Sequence, residues 1–140
     1  MKLVLVQPQL SYSAGTHNLQ ALSAQLAPFA GQLGTEDVVL LPEHVVVDAT
    51  REAYQAAIAQ LAQQLGCHVV GGSHHEPRGK TRVNAGAVSD STGRIVSEYE
   101  TLRPYAGERS RVQDGEVLGE LTIGRCRILV LICADFWFSD

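Results

Sequence analysis

Cysteine is scarce in this chain of 140 residues: Cys67, Cys126 and Cys133 are widely spaced and form no Cys-x-x-Cys pair. An odd number at such spacing argues against a disulfide framework and suits free thiols in a reducing compartment. Lysine is scarcer still, with Lys2 and Lys80 alone, and the eleven basic residues form no contiguous run, the loosely spaced Arg103, Arg109 and Arg111 included. With a formal charge of -4 and a pI near 5.7, a nucleic-acid partner is set aside. The chain has no Gly-x-Gly-x-x-Gly and no phosphate loop, which weakens a nucleotide-binding reading. The apolar run Leu3 to Val6 is too short for a signal peptide or a bilayer span, so a cytoplasmic location and no membrane partner are expected. Internal repeats, linkers and low-complexity tracts are lacking too, and the length fits one domain over residues 1–140.

What is present reads as an ordinary globular composition, 45% hydrophobic and 19% charged. Leu3 to Val6, closed by Pro8, predicts a buried first strand. Leu19, Leu22, Leu26 and Phe29 recur at helical steps and predict a helix over residues 16–33, capped by Ser13 or Thr16. Val38 to Leu41, stopped by Pro42, is the second strand and delivers Glu43 and His44 to its carboxyl end. Tyr54, Ile58, Leu61 and Leu65 mark a second helix, with Asp48 or Thr50 as cap and Gly66 as stop. A third strand is expected over residues 67–72, then a polar turn from Ser73 to Thr81. Residues 83–89 and 94–100 flank Asp90-Ser91-Thr92-Gly93 and read as a hairpin. An irregular stretch, residues 102–115, precedes a last pair, residues 118–123 and 127–132, joined at Gly124. The order predicts an α/β layer with a mixed sheet and two helices. Two helices cover little of such a sheet, so exposed apolar area is expected unless another segment or subunit packs there.

The stretch Arg127 to Trp137 organises this reading. Its unbroken apolar run, Ile128 to Ile132, predicts a strand buried on both faces and ending on Cys133. A side chain at the carboxyl end of a buried strand faces a crevice, which is where a thiol nucleophile could act. The plainer alternative is a core cysteine.

Taken as an ordered set, Leu40-Leu41-Pro42-Glu43, Asn84, the Asp90 to Gly93 turn, Gly93-Arg94-Ile95-Val96 with Tyr99, Glu108, and Leu131-Ile132-Cys133-Ala134-Asp135 resemble the nitrilase superfamily of carbon–nitrogen hydrolases. The resemblance implies the amino-terminal half of an α-β-β-α sandwich, cut just after the nucleophile strand. It implies cleavage of a small amide or nitrile through a thioacyl intermediate, with Cys133 as nucleophile and Glu43 as general base. The Ala134 amide would face the developing oxyanion, and Glu108 would support the base. No cofactor and no metal are implied. As partners it implies a small amide or nitrile and a homo-oligomer or a second half of the sandwich.

One position departs from the family pattern. The family's lysine, two residues after the tyrosine matching Tyr99, falls on Thr101, which carries no charge. Arg103 would share its face if the strand ran on, but Pro104 argues that the strand ends. Losing an oxyanion donor costs on the order of 100- to 1000-fold in turnover. A degenerate hydrolase, or a non-catalytic binding module on the same scaffold, is therefore the alternative. For Glu43 the plain reading is an exposed loop carboxylate, and for Glu108 an ion pair with Arg103, Arg109 or Arg111. His74-His75-Glu76 reads as a solvated loop rather than a metal site, and His44 is expected to point away from Glu43. Phe136-Trp137-Phe138 reads as a core or interface cluster.

Overall fold

A computed structural model describes residues 1–12 and 15–138. Three short apolar strands, β1 (Leu3–Leu5), β2 (Val38–Leu40) and β3 (His68–Val70), pair in parallel. The connections between them are helices α1 (His17–Leu26) and α2 (Arg51–Leu65), as parallel neighbours require. β4 (His74–Arg78), β5 (Thr81–Ser89) and β6 (Ile95–Glu100) complete a six-stranded mixed sheet by antiparallel pairing. β7 (Gly119–Ile123) and β8 (Cys126–Val130) form a separate two-stranded sheet, and a 3-10 turn, Cys133–Phe138, follows. Among the described residues no helix is long and apolar enough to cross a membrane.

Alternation along the strands divides the core in two. Val39, Val69 and Ala87 face the helices, where Leu19, Leu22, Ile58, Leu61 and Leu65 pack on them. Burying each large aliphatic side chain of α2 contributes about 1.5–3 kcal/mol. Val38, Val70, Val88 and Tyr99 point to the opposite face and meet Leu121, Ile123 and Ile132 of the hairpin segment. The helices, the sheet and the hairpin are thus stacked as layers.

α2 matches its sequence signals: Thr50 Oγ1 accepts the Ala53 N–H at 3.2 Å, and Gly66 closes the helix at φ +69°. α1 does not run to Leu33. It ends at Leu26, and a 3-10 turn, Ala27–Phe29, takes over at Pro28, which cannot donate to the helical ladder. Thr16 occupies the cap position without a side-chain cap bond, and Ser13 lies outside the described residues.

Two further expectations are corrected. Ser73 to Thr81 is not a polar turn, because β4 occupies most of it and only Gly79-Lys80 turns. Two of its polar side chains are met from α2. Arg51 donates to both oxygens of Glu76 at 2.9 and 2.7 Å, and His74 stacks on Tyr54 with ring centroids 4.3 Å apart. Pro77 is tolerated because β4 is a sheet edge. The last strand is not buried on both faces either. β7 and β8 are an antiparallel ribbon with one face against the sheet, which leaves Leu129 54% exposed on the other. Leu3, Leu5 and Leu131 are also exposed. Phe136 and Trp137 are 74% and 82% exposed, so they are no part of the core, and the Phe138 side chain lies outside what is described.

Candidate functional site

The site lies where one sheet edge is interrupted. β3 and β4 both pair with the same edge of β5, and between them the chain breaks at Gly71-Gly72-Ser73. Leu41 continues the β2–β3 ladder by one bond, its N–H reaching Val70 O at 3.0 Å. Pro42 has no N–H to give, so the ladder stops there and the chain turns out over the break. Gly72 makes room for it. At φ +66°, a Cβ on this residue would lie 2.0 Å from Pro42 O. Its own carbonyl accepts the Tyr99 hydroxyl at 2.5 Å, which ties the crossing to β6.

Glu43 and His44 follow. His44 has φ +55°, and its N–H donates to Ser73 Oγ at 3.2 Å. The left-handed residue breaks strand alternation, so His44 does not point away from Glu43: its Nε2 is 3.4 Å from Glu43 Oε1. The same oxygen accepts the Asn84 side-chain amide at 2.9 Å, from the middle of β5. Glu43 is therefore held from two sides while its side chain remains 30% exposed.

Cys133 arrives from β8. It too is left-handed, at φ +47°, and opens the 3-10 turn, whose Asp135 pins the corner. Asp135 accepts the Arg103 N–H at 2.9 Å and the Ile132 N–H at 3.3 Å. Cys133 and Glu43 line one hollow of about 160 Å³ with Gly72, Ser73, Tyr99 and Leu131. Lost hydration at the sulfur, the Glu43 charge and a hydrogen bond to Glu43 push the thiol pKa up, while the Ala134 N–H opposes them. As a whole residue Cys133 is exposed, so the hollow is open to water rather than sealed.

Thr101 is 3% exposed, and its Oγ1 is buried with no partner among the described residues. Its N–H donates to Asn84 O at 2.8 Å just past the end of β6. The strand ends at Glu100, so Arg103 does not continue it; its N–H goes to Asp135.

Glu108 faces two imidazoles. Its Oε1 lies 3.9 Å from His44 Nε2 and 3.9 Å from His75 Nε2. His75, on β4, is no solvated loop residue. Burial and the charge of His44 lower its pKa, and its Nε2 is buried with no hydrogen-bond partner among the described residues. His74 beside it faces the other way, into the core, with its pKa lowered by burial. The structure thus brings together Glu43, Cys133 and the Ala134 amide, and joins Glu108 to them through His44. Sequence reasoning weighed His44 and His75 and set both aside. The cross-strand pairing of His75 with Asn84 was the available signal, and it requires knowing that β4 is a strand.

No protein-family model and no curated protein matches the chain. Solved structures do. A CN-hydrolase superfamily protein from Xanthomonas campestris, with an arsenic adduct in its active site, superposes with a TM-score of 0.79 at 24% identity, over 97% of this chain and 54% of that one. The NitN amidase from Nesterenkonia sp. AN1 gives a TM-score of 0.76 at 22% identity, over 95% and 57%. A mutant of the AN1 amidase, from the nitrilase superfamily, gives 0.79 at 20% identity, over 97% and 56%. The mixed sheet with two helices is the α-β half of that sandwich fold. The chain spans a little over half the length of the structures it resembles.

Proposed function

We propose that this domain binds small amides or nitriles at the Cys133–Glu43 pair of a carbon–nitrogen hydrolase scaffold, and that it does so without sustained turnover. The observation that carries this reading is the hollow that Cys133 and Glu43 line together, with a buried, uncharged Thr101 bonded to the Asn84 that holds Glu43. The thiol and carboxylate suit capture of an electrophilic acyl carbon, with the Ala134 N–H near the sulfur. Thr101 brings no charge to a developing oxyanion, and the charge of Glu43 favours the protonated thiol over the thiolate. Substrate class is taken from the relatives. Structures of the AN1 amidase hold butyramide, and acrylamide and fluoroacetamide adducts at its active-site cysteine.

A second reading is full hydrolysis, favoured by the strained corner at Cys133 and by the Ala134 amide. In it Glu43 takes the thiol proton as sulfur attacks the carbonyl carbon. The amine then leaves with that proton, and Glu43 activates water to release the acid. Glu108 supports Glu43 through His44 in either reading.

Incubation with acrylamide and, separately, butyramide tests both, with intact mass and ammonia release as readouts. Expected are an acrylamide adduct at Cys133 ahead of exposed Cys126, because an amide seated in the hollow offsets the lower thiolate fraction, and ammonia at the background rate. Ammonia release from butyramide that Cys133→Ala abolishes establishes the hydrolase reading instead. Labelling of Cys133 no faster than Cys126 overturns both. Exposed Leu3, Leu5, Leu129 and Leu131 support a further layer packing on this chain, from a second copy or from another sandwich half. Sedimentation of the chain distinguishes a dimer from a monomer.

A further inference from the structure

We infer that His44, His75 and Glu108 form a binding site for one divalent transition-metal ion of the Zn²⁺ class. The ligand atoms of the three residues, one from each, all lie within 4.8 Å of one another. Glu108 Oε1 faces both imidazole Nε2 atoms at 3.9 Å, too far for a direct hydrogen bond. The imidazoles meet edge to face, with centroids 4.7 Å apart. Ligands at roughly 2.0–2.2 Å in a tetrahedral zinc site stand about 3.3–3.6 Å apart, so closure needs side-chain movements on the order of 1 Å. The second sign is His75 Nε2, a buried ring nitrogen with no hydrogen-bond partner among the described residues. Leaving such an atom unpaired costs free energy that an ion would recover.

Each ligand stands on a fixed support. His75 is in β4, and His44 is held through its N–H by Ser73. Glu108 sits in a turn whose Arg111 and Val112 N–H groups return to its carbonyl at 2.8 and 2.9 Å. That turn is bonded to β5 through Arg82, whose N–H reaches Arg111 O at 3.0 Å. The charge balance also admits a cation. Glu43 adds a second carboxylate 3.4 Å from His44 Nε2, and Arg82, whose charge acts on His75, is paired with Asp48 at 2.7 Å. Two imidazoles and one carboxylate are a donor set of open, three-ligand zinc sites. His75 pairs with Asn84 across the sheet, and Asn84 accepts the Thr101 N–H. A bound ion would thus place positive charge on the cross-strand row where Thr101 brings none. The inference goes beyond the proposed function, and metal uptake is read without any amide present.

Titration of the metal-free chain with Zn²⁺ alone by calorimetry, and with Co²⁺ by visible absorption, tests it. Expected are one ion per chain, d–d bands of a four- or five-coordinate cobalt, and affinity lowered at least tenfold in His75→Gln and in His44→Asn. Asparagine tolerates the left-handed backbone of residue 44, so the second variant stands should the first fail to fold. No saturable uptake overturns the inference, as does equal affinity in a folded His44→Asn variant. Uptake lost in Cys133→Ala but kept in the histidine variants assigns the ion to the thiol and overturns it as well.

Discussion

The Cys133 thiol and the Glu43 carboxylate line one hollow across the gap between the end of β8 and the turn after β2, where the Glu43 charge holds the thiol pKa up. Two chain segments that are distant in sequence meet there, each through a left-handed or ladder-ending residue. The chemistry of either group depends on the other.

Glu43→Gln removes a charge that favours the protonated thiol. The thiolate fraction at neutral pH then rises, and Cys133 is expected to react with iodoacetamide severalfold faster than in the parent chain. A slower reaction would show Glu43 acting as the base that activates sulfur. Cys67 supplies the internal control. It is buried, and desolvation followed by the charge of Asp37 pushes its thiol up to about 11. It is expected to stay unlabelled at pH 8 until denaturant unfolds the chain, as peptide mapping would show.

Glu100 is 6% exposed and accepts from Arg78 and from the Glu116 N–H. Burial alone would raise its carboxyl pKa, but these bonds and the charges of Arg78 and Arg51 outweigh burial and hold it below the ordinary value. A depressed carboxyl contributes stability above its unfolded-state pKa and loses it as pH falls through the folded value. Arg78→Met is expected to cost about 2–3 kcal/mol at pH 7, because a buried carboxylate loses its main partner. Without Arg78 burial raises the Glu100 carboxyl pKa toward or above its unfolded value, so the part of the acid-side loss that Glu100 contributes should shrink or reverse relative to the parent. Urea midpoints between pH 3 and 7 measure both effects.

Gly72→Ala is expected to destabilise the fold by about 3 kcal/mol, since it combines a left-handed φ with a Cβ 2.0 Å from Pro42 O. If the variant still folds, the turn carrying Glu43 must have shifted. Its acrylamide adduct at Cys133 should then form at a different rate. Thermal melting with the labelling assay reads both.

Thr101→Val removes a buried hydroxyl that has no partner among the described residues. Stability should be unchanged or higher by up to about 1 kcal/mol, because no hydrogen bond is lost and a desolvation cost disappears. A loss above about 1 kcal/mol in chemical denaturation would mean that the hydroxyl is satisfied in solution.

Where local spacing settles the structure, the sequence was sufficient. α2, its Thr50 cap and Gly66 stop, the Asp90 to Gly93 turn, and the arrival of Glu43 and Cys133 at segment ends were all legible, because periodicity and turn chemistry act over a few residues. The identity of residue 101 was also plain from the sequence. What the chain alone could not decide is what depends on distant partners. β4 looked like a loop because Arg51 and Tyr54, twenty or more residues away, meet its Glu76 and His74 side chains. β8 looked doubly buried because apolar composition does not record how many layers cover a strand. His44 turned toward Glu43 through a backbone angle imposed at the Gly72 crossing, and only that turn sets it beside His75 and Glu108. Residue types determined which chemistry was available, while tertiary packing decided which groups share a site, because contact distances are fixed by chain segments that sequence order does not bring together.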